Sequence, residues 1–282
     1  MEGENSDLED PEFDALLDAV YAQYGYDFRR YAPGSLKRRL RHVASHSGLK
    51  TLAALEAHVL RSPAAFQALL DTLTIHVTEM FRDPGFYATF REQVVPFVRT
   101  YPTLKMWVAG CASGEEAYSL AIVLHEEGLY ERTRIYATDL SPAALQRARA
   151  GIYPVEQLKH YAQNYQRAHG RDSLTRYFTV AHGHAAIARS LARNIHFAEH
   201  NLVSDEVFGE MNVIFCRNVL IYFDRQLQEE SVGLMRRSLI RGGFLCLGSK
   251  ESLRLTRHAD AFEELEPGSR IFRKKLDPDD LP

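Results

Sequence analysis

Residues 108–121 read VAGCASGEEAYSLA. A buried strand, a turn containing Gly110 and Gly114, and the start of a helix follow one another within this run. In an open α/β sheet such a turn lies at the carboxyl end of a strand, where ligands bind near the switch in strand order. A dinucleotide fingerprint needs G-x-G-x-x-G and a P-loop needs a lysine after its last glycine; neither is present. Instead, Glu115 and Glu116 open the helix. A helix start attracts anions through its free N–H groups and dipole, so two carboxylates already in that field repel a pyrophosphate. The turn suits a ligand with an adenosine-like body, no phosphate and positive charge. S-adenosylmethionine, with sulfonium and ammonium groups, meets all three conditions. Stabilising the helix start alone, worth about 0.3–1 kcal/mol per glutamate, is the other role open to the pair.

Working outward, short apolar runs alternate with amphipathic helices from residue 101 onward. KMWVAGC (105–111) precedes SGEEAYSLAIVLHEEG, and RIYATDLS (134–141) precedes SPAALQRARAG. Then come NIHFAEHNL (194–202), MNVIFCRNVLIYF (211–223), the helix RQLQEESVGLMRRSLI and the strand GGFLCLGSKES (242–252). This alternation predicts a doubly wound α/β sheet with a mainly parallel core, to which SRIFRKK (269–275) adds an edge strand. The segment 176–202 exceeds a normal connection of about 2–6 residues and carries its own structure. RYFTV and RNIHFAE read as its strands, with His182-Gly183 as the turn between them. It reads as a lid over the cleft, although Tyr177–Val180 could supply the free N–H and C=O groups of an edge strand.

Upstream, Phe13 to about Phe90 shows helical periodicity and little strand signal. EFDALLDAVYAQYG stops at Gly25, and PGSLKRRLRHVASHSG runs from an expected N-cap at Ser35 to a stop at Gly48. The expected division is a helical domain over 1–82, its tail 1–10 disordered, and a catalytic domain over 83–282 with a small β subdomain near 170–197. The acidic, proline-punctuated end 276–282 also reads as disordered.

Composition limits the function classes. A net charge of −3 gives no global case for nucleic acid or membrane binding. The N-terminus lacks the regions of a signal peptide, and no apolar run approaches the roughly 20 residues that span a bilayer. Cys111, Cys216 and Cys246 are scattered without metal-ligand spacing, and the twelve histidines do not cluster with cysteines or carboxylates, so no metal is expected. A reducing cytoplasm is the expected location.

Particular residues extend the ligand reading. Asp139 ends its strand 24 residues after Glu115, close to the spacing at which an acid accepts ribose hydroxyls; capping the next helix is the alternative, for which Ser141 is better placed. Asn201 and Leu202 end a strand and suit the edge and face of an adenine ring; a simple turn is the alternative for Asn201. Arg217 and Asn218 interrupt an apolar run and need polar partners, since burial without them costs several kcal/mol.

These residues resemble the chemotaxis receptor methyltransferase (CheR) family. The matching motifs are TIHVTEMFRD (74–83), VAGCASGEEAYSLA (108–121), IYATDLSPAALQRARAGIY (135–153), HNL (200–202), VIFCRNVLIYFD (213–224) and RGGFLCLGSKES (241–252). The resemblance implies a Rossmann-like S-adenosylmethionine-dependent methyltransferase domain with a small antiparallel β insertion, preceded by an all-α N-terminal domain. It implies methyl transfer to glutamate side chains of chemoreceptors, with S-adenosylhomocysteine as the other product. By position, Thr78, Arg82, Glu115, Asp139, Asn201, Leu202, Arg217 and Asn218 match the family's cofactor contacts, and Gly110 lies in the cofactor turn. Arg82 and Tyr222 match residues of the reaction centre. The chain departs from the family at His76, usually asparagine, at Met80, usually phenylalanine, and at Ser249-Lys250-Glu251, usually His-Ser-Glu. His76 can still donate or accept a hydrogen bond to the cofactor.

A basic stretch, FRRYAPGSLKRRLRHVASHSGLK (28–50), stands out in an acidic chain. Arg38, Arg39 and Arg41 with Lys37 fall on one helix, without the interleaved aromatics of a nucleic-acid surface. A solvated charged face is the default reading, and the resemblance points to the acidic methylation helices of a receptor's cytoplasmic bundle. The chain is expected to act as a monomer. A non-catalytic S-adenosylmethionine-binding signalling module is the alternative reading, and retention of Arg82, Asp139, Asn218 and Tyr222 disfavours it. The basic helical domain disfavours a small-molecule methyltransferase.

Overall fold

The computed structural model describes residues 11–74, 78–254 and 256–275; the two acidic tails and His76 lie outside the described residues. The chain divides into two units, Met1–Ile75 with Tyr222–Leu227, and His76–Ile221 with Gln228–Pro282.

The first unit is built from α1 (Pro11–Tyr24), α2 (Pro33–His46), α3 (Leu52–Arg61) and α4 (Pro63–Leu73). Each buries an apolar stripe, from Leu16, Leu17 and Val20 on α1 to Leu69, Leu70 and Leu73 on α4. The Tyr24 ring stacks on Phe66 at 3.8 Å, and its hydroxyl donates to the Val59 carbonyl. Thr51 and Ser62 cap α3 and α4 by accepting from Ala54 and Ala65 N–H. Ser35 is not a cap: α2 starts at Pro33, whose missing N–H suits a helix start, and Ser35 Oγ instead accepts from Arg39. Gly25 and Gly48 follow α1 and α2 with φ of +77° and +70°, the left-handed backbone expected of helix stops. Tyr222–Leu227 joins this unit through backbone bonds, Ala32 N–H to the Tyr222 carbonyl and Asp224 N–H to the Arg30 carbonyl.

The second unit begins with α5 (Pro84–Thr89), a π turn (Phe90–Val94) and α6 (Val95–Val98). The elements β1 (Leu104–Ala109), α7 (Glu115–Glu126), β2 (Thr133–Asp139), α8 (Pro142–Ala150), β3 (Ile152–Pro154) and α9 (Leu158–Arg167) follow. Next come β4 (Phe178–Ala181), β5 (His184–Ile187), α10 (Arg189–Ala192), β6 (Ile195–Glu199) and β7 (Met211–Cys216). The chain ends with α11 (Arg225–Ser238), β8 (Leu239–Leu247), β9 (Phe262–Glu264) and β10 (Ile271–Lys274).

Seven strands form one sheet in the order β6-β2-β1-β7-β8-β10-β9. The first five are parallel, and β10 runs antiparallel to both its neighbours. SRIFRKK is therefore not the edge: β9, too short to show as a strand in the sequence, pairs outside it. The sequence direction reverses between β1 and β7, which is where an open sheet binds ligands. Continuous burial of β7 and of Glu115–Leu124 on α7 explains their unbroken apolar runs.

A second, antiparallel sheet has the order β3-β5-β4. The reading of 176–202 needs a correction. His182-Gly183 does turn a hairpin, but it joins β4 to β5, while RNIHFAE is β6 of the large sheet, paired with β2. His184–Ile187 is short and alanine-rich, so it carried little strand signal. β4 is an edge strand with mostly exposed residues.

Candidate functional site

The turn after β1 is fastened to the end of β2. Gly110 and Cys111 N–H both donate to the Thr138 carbonyl, and Ala112 N–H donates to Asp139 Oδ2 at 2.8 Å. Gly110 (φ +73°) and Gly114 (φ +95°) take left-handed backbone. A Cβ on Gly110 would sit 2.4 Å from Val219 Cγ2, so only glycine lets the post-β7 loop approach.

The two glutamates at the start of α7 divide their roles. Glu115 is 4% exposed and accepts from Ser113 Oγ at 2.8 Å and, at 3.5 Å, from the Tyr161 hydroxyl. Burial pushes its carboxyl above the ordinary value. Glu116 instead accepts from Arg217 Nη1 at 2.6 Å. Arg217 leaves β7 but turns inward, its side chain 2% exposed. Its Nη2 donates to Asp83 Oδ2 at 2.9 Å and to the Arg82 carbonyl at 3.1 Å, and its guanidinium lies 4.1 Å over the Phe86 ring. Arg217 thereby ties the first turn of α7 to the Arg82–Asp83 turn through both Nη atoms, while its Nε is buried without a hydrogen-bond partner.

The segment before α5 is shaped by this anchor and others. Phe81 and Asp83 have φ of +54° and +56°. Phe81 N–H donates to Ser119 Oγ on α7, and Asn164 Nδ2 donates to the Met80 carbonyl. Met80 is fully buried, an apolar fill where the resemblance expects phenylalanine. Thr78 and Arg82 flank this anchored turn, half-buried.

Asp139, 8% exposed, grips both loops at the end of β2: Oδ2 accepts from Ala112 and Oδ1 from Ser141 N–H at 2.9 Å. Ser141 itself caps α8 through Ala144 N–H. Asn201 forms the turn anticipated as its alternative, its Oδ1 accepting from Val203 N–H, with Leu202 half-buried beside it. Asn218 has φ +61°, left-handed for a residue that tolerates it. Gly110, Glu115, Asn201, Leu202, Arg217 and Asn218 thus follow the carboxyl ends of β1, β6 and β7, and Asp139 is the last residue of β2.

Tyr222 belongs to the helical unit, where Arg39 lies 4.9 Å over its ring. Arg39 also donates to the Leu73 carbonyl and to Ser35 Oγ, so it is an internal brace rather than part of a solvated face. Lys37 is buried over the Phe13 ring. Arg38 and Arg41 are exposed.

Comparison with known proteins matches the "CheR methyltransferase, all-alpha domain" over residues 11–74 and the "CheR methyltransferase, SAM binding domain" over residues 76–269. The chain belongs to the CheR methyltransferase family. Cher3 of Pseudomonas putida is 48% identical over 265 residues, covering 94% of this chain and 97% of its own. The chemotaxis protein methyltransferase of Salmonella typhimurium is 30% identical over 270 residues, covering 92% and 86%. That of Listeria monocytogenes is 29% identical over 236 residues, covering 83% and 87%.

The cofactor of this family suits the residues at the strand ends. A buried carboxylate in the helix N-terminal field opposes phosphate and favours a cation, and the Gly110 turn leaves no room for a side chain. Among the described residues no group of histidines, cysteines and carboxylates is arranged to hold a metal ion, and no helix is long and apolar enough to cross a membrane.

Proposed function

We propose that this CheR-family methyltransferase esterifies specific glutamate side chains of methyl-accepting chemoreceptors, acting in the cytoplasm as a monomer without metal. The observation that carries the reading is the acidic cofactor turn, in which Glu115 is buried at the start of α7 while Glu116 is committed to Arg217. When bound, S-adenosylmethionine supplies an electrophilic methyl group. Thr78, Arg82, Gly110, Glu115, Asp139, Asn201, Leu202 and Asn218 would hold it, Glu115 facing its positive charge and Asp139 its ribose, with His76 matching a further position. Arg217 contributes through the anchor its side chain gives the Arg82–Asp83 turn.

The acceptor glutamate is already ionised near neutrality, because its unperturbed pKa is about 4.3, so no general base is required. The protein's task is alignment: Arg82 orients a carboxylate, for which a guanidinium fork is suited, and Tyr222 acts in turnover. Arg38 and Arg41 are the exposed cations of the basic helix and would meet the acidic helical bundle of a receptor. The open edge of β4 offers a second place for a receptor segment, by strand addition. The test is transfer of radiolabelled methyl groups into receptor-containing membranes. Label released as methanol by base marks a carboxyl ester; base-stable label, or none, refutes the reading.

A further inference from the structure

The carboxylate of Glu251 is 4% exposed and makes four hydrogen bonds, all to backbone. Oε2 accepts from Asn218 N–H at 2.9 Å and from Gly248 N–H at 2.6 Å, and Oε1 accepts from Val219 and Leu220 N–H, both at 2.8 Å. Three successive N–H groups of the post-β7 loop therefore converge on one side chain carried by the segment after β8. Such converging amides form a concavity for an anion, and here the protein supplies the anion itself.

Two glycines show how closely this loop is fitted. A Cβ on Gly248 would come within 2.8 Å of Asn218 N and 2.9 Å of Asn218 Nδ2. Val219, whose N–H is one of the four donors, packs against Gly110 of the cofactor turn. A shift of the loop would therefore reach both Asn218 and the turn after β1.

We propose that Glu251 is a positioning residue of the cofactor site, its carboxylate holding the post-β7 loop in the left-handed backbone that presents Asn218. The proposal rests on the S-adenosylmethionine reading above. Four N–H donors need four acceptor positions, which a carboxylate has. A glutamine has one accepting oxygen, so two of the donors would face an amide NH2. Glu251→Gln thus breaks half of the clamp at nearly constant volume, and Glu251→Asp keeps the charge on a shorter arm.

The test uses the full-length, cofactor-free protein and two readouts: amide hydrogen exchange at Asn218, Val219, Leu220 and Gly248, and calorimetric binding of S-adenosylhomocysteine. In Glu251→Gln, exchange at these four amides should rise at least tenfold while Met106 and Ile214 in the central strands stay protected. The dissociation constant should rise at least tenfold. Glu251→Asp should fall between wild type and glutamine in both, and it decides the matter alone if the glutamine variant does not fold. Unchanged exchange, or faster exchange with binding within twofold of wild type, overturns the role of Glu251. Uniformly faster exchange across β1 and β7 also overturns it, since that marks a general structural loss. A wild type that binds no S-adenosylhomocysteine overturns the functional reading itself, a result distinct from normal wild-type binding with an indifferent variant.

Discussion

Replacing Glu116 by glutamine tests whether Arg217 is a buried anchor or a group available to the cofactor. The Arg217 side chain is 2% exposed, and its two charged partners are Glu116 and Asp83. Asp83 is 40% exposed and therefore well solvated, so Glu116 provides most of the compensation for the buried charge. Removing one partner of a buried pair costs about 3–5 kcal/mol because the other charge is left uncompensated. Asp83 and the Arg82 carbonyl remain in Glu116→Gln, which places the expected loss near the lower end, about 3 kcal/mol. For a protein of this size that corresponds to a fall in Tm of roughly 6–12 °C. Arg217→Met should cost a similar amount by stranding Glu116, and combining Arg217→Met with Glu116→Gln should be less damaging than the sum, since neither charge is then left alone. Circular dichroism in urea, with a double-mutant cycle, measures the coupling. A loss below about 1 kcal/mol in Glu116→Gln, or strict additivity, would show that Arg217 is solvated and not an anchor.

Glu115 predicts a pH dependence. Burial raises its carboxyl in the folded state, so the group is neutral in acid and becomes ionised as pH rises through that raised value. Cofactor affinity should therefore increase as pH rises through that raised value and plateau above it, whereas Glu115→Gln should show a flatter profile; calorimetry over a pH series reads both. The sign for stability is opposite: the stabilisation of the cofactor-free fold associated with the raised value is present at low pH and lost as pH rises through it. Gly110→Ala should disable cofactor binding, since its φ of +73° costs a side-chain residue about 1–3 kcal/mol and the new methyl meets Val219; retained affinity would contradict this. The double substitution of Arg38 and Arg41 by Glu should lower receptor methylation and its salt sensitivity without changing cofactor affinity, as exposed charges are screened within about 8–10 Å near physiological ionic strength. Arg39→Glu should instead lower the melting temperature of the helical unit, because it removes the bond to the Leu73 carbonyl.

What the sequence reveals depends on the range of the interaction. The parallel core was legible because period and burial are local: β7 is apolar throughout and is buried throughout. Glu115 and Asp139 were legible for the same reason, each standing where an apolar strand gives way to a helix, whereas Asn201 and Leu202 lie in a turn that leads directly to β7. β5 and β9 were not, since strands of four and three residues owe their state to partners rather than to propensity. Partner choice was the least legible of all. Glu115 and Glu116 are neighbours of identical chemistry, and a helical rotation of about 100° sends one towards Ser113 and Tyr161 and the other to a guanidinium 101 positions away. The role of Glu251 is not legible in Ser249-Lys250-Glu251, because three of its four partners are backbone amides some 30 residues upstream, which carry no side-chain signature. The cofactor turn is thus readable as a list of residue types, whereas its rigidity comes from a second set — Arg217, Ser119 and Glu251 — whose work appears only when the strands are assembled.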